Sequence, residues 1–403
     1  MEIQQIIKEK YMQTNKICLL FLFFGLLVSC QSKDKFDWEI GLSAPKYYSS
    51  SPSVRFFYNN KIIHSASSNI GIQPGWGETS GGYASGSEPD EIPDNLHVEW
   101  LCGTNRYHYE GDFKLPREKM LKLFQNPITD IDGTVRPYSL IIVGTAPGGN
   151  ITVWMRAVNV LTEIAKFKAK NKGIWKENDA KFNKYWGNEE ENSKYKNTEY
   201  NIFHYLHGIP YSVWEKGEKE YNYDVGFTSE GEDIKNLIIT SHTKEGSWYQ
   251  SFTGKESEYN VELFKWDDFK YIENNNLVKK VKLPVQLSIS WRNISDDVVL
   301  NAEVLMPQNL EKLMNESFKD STTGKLENYN RIIIGAYKGG AKGVVWLTGK
   351  NKKTKLLDFI LDDTQNQNIK KHIFYSLPKG FKFPKWEGRE KLIQPDVEFW
   401  QEE

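Results

Sequence analysis

Residues 93–100 read Pro-Asp-Asn-Leu-His-Val-Glu-Trp, and residues 284–291 read Pro-Val-Gln-Leu-Ser-Ile-Ser-Trp. In each, apolar residues hold every second position: Leu96, Val98 and Trp100, against Leu287, Ile289 and Trp291. His97 and Glu99, or Ser288 and Ser290, stand between them. A period of two puts one face in a core and the other in water, the pattern of a strand in an antiparallel sheet. The two octapeptides lie 191 residues apart, and the likeness spreads outward from them. Residues 93–149 set against 284–340 without a gap share 11 identities in 57 positions, where typical residue frequencies give about 3 or 4. A tandem duplication accounts for this.

The matches are informative. Pro116 faces Pro307; Tyr138, Ile141, Ile142 and Gly144 face Tyr329, Ile332, Ile333 and Gly335; Gly148-Gly149 faces Gly339-Gly340. Further on, Trp154 answers Trp346 and Phe167 answers Phe359, the offset now 192. After Trp100 comes a polar turn at Gly103-Thr104-Asn105, then Tyr107, Tyr109, Phe113 and Leu115 alternating with polar residues. After Trp291 comes Ser295-Asp296-Asp297, then Val298, Leu300, Ala302, Val304 and Met306. Each pair reads as a hairpin. Pro116 and Pro307 then stand where helices begin, and REKMLKLF and QNLEKLM have helical apolar spacing. The apolar runs SLIIVG and RIIIG, each with a Gly-Gly turn and a second strand ending in Trp154 or Trp346, give another hairpin.

The copies also begin alike. Phe36, Trp38, Ile40 and Leu42 alternate with polar residues or glycine, as do Tyr221, Tyr223, Val225 and Phe227. The expected fold class is α+β: two similar domains of mostly antiparallel strands, each with one main helix, over 36–215 and 216–403. A length of 403 residues agrees with two or three domains. The Lys/Glu/Asn-rich stretch between Lys168 and Tyr200 reads as a surface excursion of the first copy, partly helical.

Residues 1–29 read as a secretory signal. Lys8, Lys10 and Lys16 are basic, and Ile17 to Val28 is an apolar run of 12 residues, short of the roughly 20 that a spanning helix needs. Met12 is an alternative start. Leu27-Val28-Ser29-Cys30 has the form of a bacterial lipobox, so Cys30 is the expected lipidation site and new N-terminus. Two or three acyl chains hold a protein on a bilayer where one does not. Gln31 follows the cysteine, so an aspartate retention signal is lacking there, and Lys33-Asp34 has the form of a basic-acidic surface-export tag. The expected location is the bacterial envelope, at the outer membrane, on its periplasmic face or the cell surface. With Cys18 leaving and Cys30 lipidated, Cys102 stands alone and no intrachain disulfide is expected.

A first strand with Trp38, then Gly75-Trp76-Gly77, a Pro-led strand ending in Trp100, Leu115-Pro116 before a helix, Gly148-Gly149, Val153-Trp154, and Ile209-Pro210-Tyr211 with Trp214 make a series. It resembles the bacterial lipoproteins catalogued as domain of unknown function 2931. The resemblance covers most of 36–215. In the second copy Gly-Trp-Gly is missing, and the closing segment is Phe383-Pro384-Lys385-Trp386. The family implies an exported, lipid-anchored protein and no reaction.

No motif supplies a reaction either. His204 and His207 form HxxH, but a metal needs three or four ligands and no partner spacing accompanies them. Ser85 in GGYASGS lacks the GxSxG spacing of a nucleophile elbow; Gly81-Gly82 and Gly86 read as a glycine-rich hairpin or loop. Gly335 to Gly343 lacks the Lys-Ser/Thr ending of a phosphate loop and reads as a tight turn. Glu189-Glu190-Glu191 reads as a solvated charge run. Tyr107 and Tyr109 would make a sugar-stacking platform if exposed, but Val298 and Leu300 stand in their place in copy two, which favours core.

A net charge of −1 removes the electrostatic footprint of a nucleic-acid binder. No cofactor is expected, and no catalytic residue is assigned. The expectation is a non-catalytic, envelope-anchored binding protein with a protein partner, in one version an immunity protein. The alternatives are a glycan-binding surface lipoprotein and a hydrolase centred on His97, Glu99 or His108, in copy one only.

Overall fold

The computed structural model describes residues 34–363 and 375–376, leaving out 72–73, 80–81, 85–88, 105–106, 130–132, 159, 175–202, 205–206, 232, 252–262, 266–278, 321–322 and 351. Cys30 and the whole of 1–29 lie outside the described residues, as do Ser85, Gly81, Gly86, Glu189 to Glu191 and Phe383 to Trp386.

Copy one is two five-stranded sheets face to face. Its main strands are β1 (Glu39–Ser43), β2 (Ser50–Tyr58), β3 (Lys61–Ser67), β4 (Gly82–Ala84), β5 (Asn95–Cys102), β6 (Tyr107–Lys114), β7 (Leu140–Ala146), β8 (Asn150–Ala157), β9 (Val160–Lys168) and β10 (Lys170–Ile174). The first sheet runs β9-β8-β7-β1-β4 and the second β10-β6-β5-β2-β3. Every pairing is antiparallel except β1 with β7. The alternating residues meet between the sheets: Ile40, Leu42, Val143, Val153 and Met155 from one, Val54, Phe56, Leu96, Val98 and Trp100 from the other. Helix α1 (Arg117–Gln125) buries Met120 and Phe124 against the same core.

Copy two repeats the plan. Its strands are β11 (Glu220–Ser229), β12 (Ile234–Thr243), β13 (Trp248–Ser251), β14 (Pro284–Asn293), β15 (Val298–Leu305), β16 (Arg331–Tyr337), β17 (Lys342–Thr348) and β18 (Lys353–Ile360). β11 lies parallel to β16, as β1 does to β7. The second sheet runs β13-β12-β14-β15, closed by Asp362–Asp363 where β10 closes its twin. Irregularities repeat as well. A bulge interrupts β8–β9 between Val153 and Trp154, and β17–β18 between Val345 and Trp346. Tyr138 bonds Thr162 at 2.8 Å, and Tyr329 bonds Thr354 at 2.6 Å. The helices match less closely. α3 (Leu310–Asn315) follows Pro307 by three residues, whereas α1 follows Pro116 directly. Its buried Leu310 and Met314 answer Met120 and Phe124 at an offset of 190, a one-residue slip that the ungapped alignment hides.

Two expectations need correction. The excursion after Lys168 opens with a strand, because Lys170–Ile174 pairs with β6 and supplies the ladder partner that this sheet edge otherwise lacks. Gly82–Ala84 is likewise an edge strand, paired with β1, rather than a hairpin or loop. A Cβ on Gly82 would fall 1.7 Å from a Glu39 carboxyl oxygen, so the glycine allows that close pairing. β1 also departs from simple alternation: Ile40, Gly41, Leu42 and Ser43 are all buried. Its outer face is covered, and what covers it forms the junction between the copies.

Candidate functional site

The chemistry-bearing side chains gather where copy two docks on copy one. The docking element is the β12–β13 turn, Lys244 to Ser247. Gly246 has φ +83°, which suits glycine. Its carbonyl accepts the backbone N–H groups of Lys46 at 2.9 Å and Trp76 at 3.0 Å. Trp248 Nε1 donates to the Pro74 carbonyl. From the other side, helix α2 (Tyr211–Lys216) sets Trp214, whose Nε1 donates to the Glu245 carbonyl at 2.8 Å. The Gly75-Trp76-Gly77 motif therefore has a structural task. Ser43 Oγ donates to the Gly75 carbonyl and accepts from Gly77 N–H, both at 3.0 Å. That lays Trp76 against Trp154, ring centroids 4.9 Å apart. Tyr47, Tyr48, Phe203, Ile209, Trp214 and Val285 complete an aromatic cluster across the junction.

Against this cluster lies the outer face of copy two's second sheet, and it is polar. His207 Nε2 meets Gln286 Oε1 at 2.9 Å, and Gln286 Nε2 donates to Glu303 Oε2 at 2.6 Å. Ser288 Oγ donates to the same oxygen at 2.7 Å and meets His242 Nε2 at 2.7 Å. An amide oxygen only accepts, and the serine proton is already given to Glu303. So both imidazoles carry their proton on Nε2 and donate it. Burial keeps them neutral: it pushes His207 down to about 4 and His242 well below its ordinary value. The chain is a set of donors converging on one carboxylate. In a nucleophilic triad the imidazole stands between serine and acid; here the serine stands between imidazole and acid.

A second cluster sits at the seam of the chain. Glu245, 4% exposed, accepts from Ser247 Oγ at 2.5 Å and pairs with Lys282. Glu218 accepts the Glu245 backbone N–H at 3.0 Å. Burial, reinforced by the Glu245 charge, pushes Glu218 up to about 8. Burial opposes the Lys282 ammonium, but Glu245 beside it prevails and the pKa is raised. Burial also raises Tyr223, and raises Tyr249 to about 12. A cleft of about 240 Å³ opens here, lined among others by Glu218, Lys244, Pro284, Met306 and Glu311.

Glu218 makes stability pH-dependent. Its ordinary value is 4.5 and its folded value about 8, so between them the folded state holds a proton that the unfolded chain has lost. Its contribution is complete below pH 4.5 and disappears as the pH rises through 8. One unit of displacement is worth about 1.4 kcal/mol, and solvent in the cleft reduces it. We expect a loss of about 1–3 kcal/mol across that window. Denaturant midpoints measured at successive pH values check this, and Glu218→Gln should flatten the profile.

The residues singled out in the sequence fall in several places. His204 and His207 are both buried in the junction but point apart: His204 Nε2 donates to the Tyr47 carbonyl at 2.7 Å, His207 to Gln286. Among the described residues no three His, Cys, Asp or Glu side chains are grouped to hold a metal. Tyr109 is buried and stacks on Trp100 at 5.0 Å, so it does not form an open platform with Tyr107. His97 bonds Asp112 at 2.8 Å, and Glu99 meets Arg55 at 3.4 Å; no serine joins them in these contacts. His, Ser and Glu converge in copy two instead, at His242, Ser288 and Glu303, which corrects the restriction to copy one. The same cross-strand positions carry His97–Asp112 and Ser288–Glu303; the neighbouring strand β12 adds His242. Cys102 is buried in the copy-one core. Gly335 to Gly343 is strand, tight turn and strand, with positive φ at Lys338, Gly339 and Gly340.

A family model described as protein of unknown function (DUF2931) matches residues 26–212 and again 215–380. No curated protein and no solved structure matches the chain.

Proposed function

We propose that this chain, which belongs to the DUF2931 family and carries its domain twice, is a lipid-anchored bacterial envelope protein that binds a protein partner and performs no reaction. The lipobox ending in Cys30 supports the anchor. The order of the buried polar chain supports the binding role and carries this reading. Ser288 donates its hydrogen bond to Glu303 and both imidazoles donate theirs, so neither imidazole is placed to take the serine proton, and the His207–Gln286 bond ties copy one to copy two. The concrete version is an immunity protein that meets a toxin delivered by a neighbouring cell. It rests on analogy to other lipoprotein immunity factors.

The test has two arms. The anchored protein is purified from its own envelope, and any protein that accompanies it is remixed with the purified chain. Saturable one-to-one binding supports the reading, as does a secreted lipase or peptidase gene beside this one. Ester or amide turnover that Ser288→Ala abolishes would overturn it in favour of a hydrolase.

A further inference from the structure

The β8–β9 turn of copy one and its twin in copy two share a fold and differ in chemistry. Ala157 pairs with Val160 and Arg156 with Leu161; in copy two Thr348 pairs with Lys353, at the same offset of 192. Val158, Val160 and Leu161 thus answer Lys350, Lys352 and Lys353. The lysines lie along rings of their own copy, Lys352 over Phe318 at 5.0 Å and Lys353 over Trp346 at 4.3 Å. The valines and leucine reach solvent, at 52%, 38% and 38% exposure. Val158 moreover holds φ +47°, a region that β-branched residues avoid. Since lysines build the same turn next door, folding does not require this apolar tip. An exposed apolar tip held in a strained conformation points to something outside the chain.

Register says where the tip is. Arg156 is level with Leu140, and Leu140 with Glu39. Two strand spacings, about 10 Å, separate Arg156 from Glu39. The tip therefore leaves the sheet at the end where the chain enters it. From Cys30 to Glu39 is nine residues, a reach of at most about 30 Å. The β2–β3 hairpin turns at the same end, because Trp38, just before β1, packs on Phe56 and His64 at 5.4 and 4.4 Å. That hairpin exposes Ile62 by 56%.

We propose that Val158, Val160 and Leu161 of the β8–β9 turn, with Ile62 at the same end of copy one, rest in the headgroup layer of the bilayer to which the chain is tethered; this rests on the reading of Cys30 as the lipidated residue. Apolar side chains at a membrane surface bury area while the tether keeps them in place. Copy one thereby stands on the membrane in a fixed orientation.

The experiment uses the mature protein purified from membranes and placed in phosphatidylethanolamine/phosphatidylglycerol vesicles containing spin-labelled lipid. A polarity-sensitive fluorophore is carried at Val158→Cys, Ile62→Cys or, for reference, Leu326→Cys, which is 69% exposed in copy two. Cys102 is buried and does not compete. The expected result is a blue shift with quenching at 158 and 62 and none at 326. Val158→Lys with Val160→Lys, the residues copy two uses, should abolish the shift at 62 while the protein stays on the vesicle. Water-like emission at 158 and 62, on protein whose N-terminal peptide carries acyl mass, overturns the contact and leaves the anchor standing. An unmodified Cys30 thiol in that peptide overturns the anchor and this inference with it.

Discussion

Gly246→Ala uncouples the two copies. A Cβ there would fall 2.5 Å from Pro45 Cβ and 2.9 Å from the Lys46 nitrogen, and the second of these is backbone that cannot turn aside. The residue also holds φ +83°, where alanine costs about 1–2 kcal/mol. Overpacking adds about 1–3 kcal/mol, so the junction should lose about 3 kcal/mol or more. The loss falls on the contact and not on either core, since neither the copy-one nor the copy-two cluster includes the β12–β13 turn. Calorimetry should show one transition in the parent and two in the variant. A single transition at an unchanged temperature would mean that the turn is not what holds the copies together.

Trp291→Ala should cost about 3–5 kcal/mol, the range for emptying a fully buried large side chain. Trp291 is 0% exposed and lies beside Phe227 and Phe359. The duplication supplies an internal control in its counterpart Trp100, 1% exposed. Trp291 Nε1 donates to the Gly340 carbonyl at 2.9 Å, whereas Trp100 Nε1 has no hydrogen-bond partner among the described residues. Alanine should therefore damage both copies alike, but phenylalanine should separate them. Trp291→Phe strands a buried carbonyl and costs about 1–3 kcal/mol more than the volume change alone. Trp100→Phe loses volume only. Urea unfolding of the four variants measures this, and equal costs for the two phenylalanines would refute the asymmetry.

Elements with one dry and one wet face were legible in the sequence. β5 and β6, β14 and β15, helices α1 and α3 and the Gly-Gly hairpins all followed from spacing, whereas α2 did not. The β2–β3 and β12–β13 hairpins did not. β2 carries Pro52 as its third residue, and a proline inside the run argues against a strand. From Ile239 to Thr243 β12 is buried on both faces, by its own core and by copy one, so His242 and Thr243 interrupt the expected period. The junction was hidden for the same reason. Glu218 sits in Glu-Lys-Gly-Glu-Lys-Glu, which reads as solvated, and only docking removes it from water. Gly75-Trp76-Gly77 was visible as a motif, but its work depends on Ser43 and Gly246, at distances no local pattern reports. The one-residue slip at α3 shows how a duplication read from identities loses register where a helix turns.

The parallel pairing of β1 with β7 sets the timetable of assembly. Glu39 must find Leu140, 101 positions later, and contacts so remote in sequence slow folding. Copy two makes the same demand of Asp224 and Arg331. Until each late strand arrives, two vacant slots of near-identical shape compete for Ile40-Gly41-Leu42 and Val225-Gly226-Phe227. Exchange of first strands between the twins is the characteristic failure of such tandem repeats. Refolding of the intact chain from denaturant should therefore be slower and lower in yield than the stability of either core would suggest.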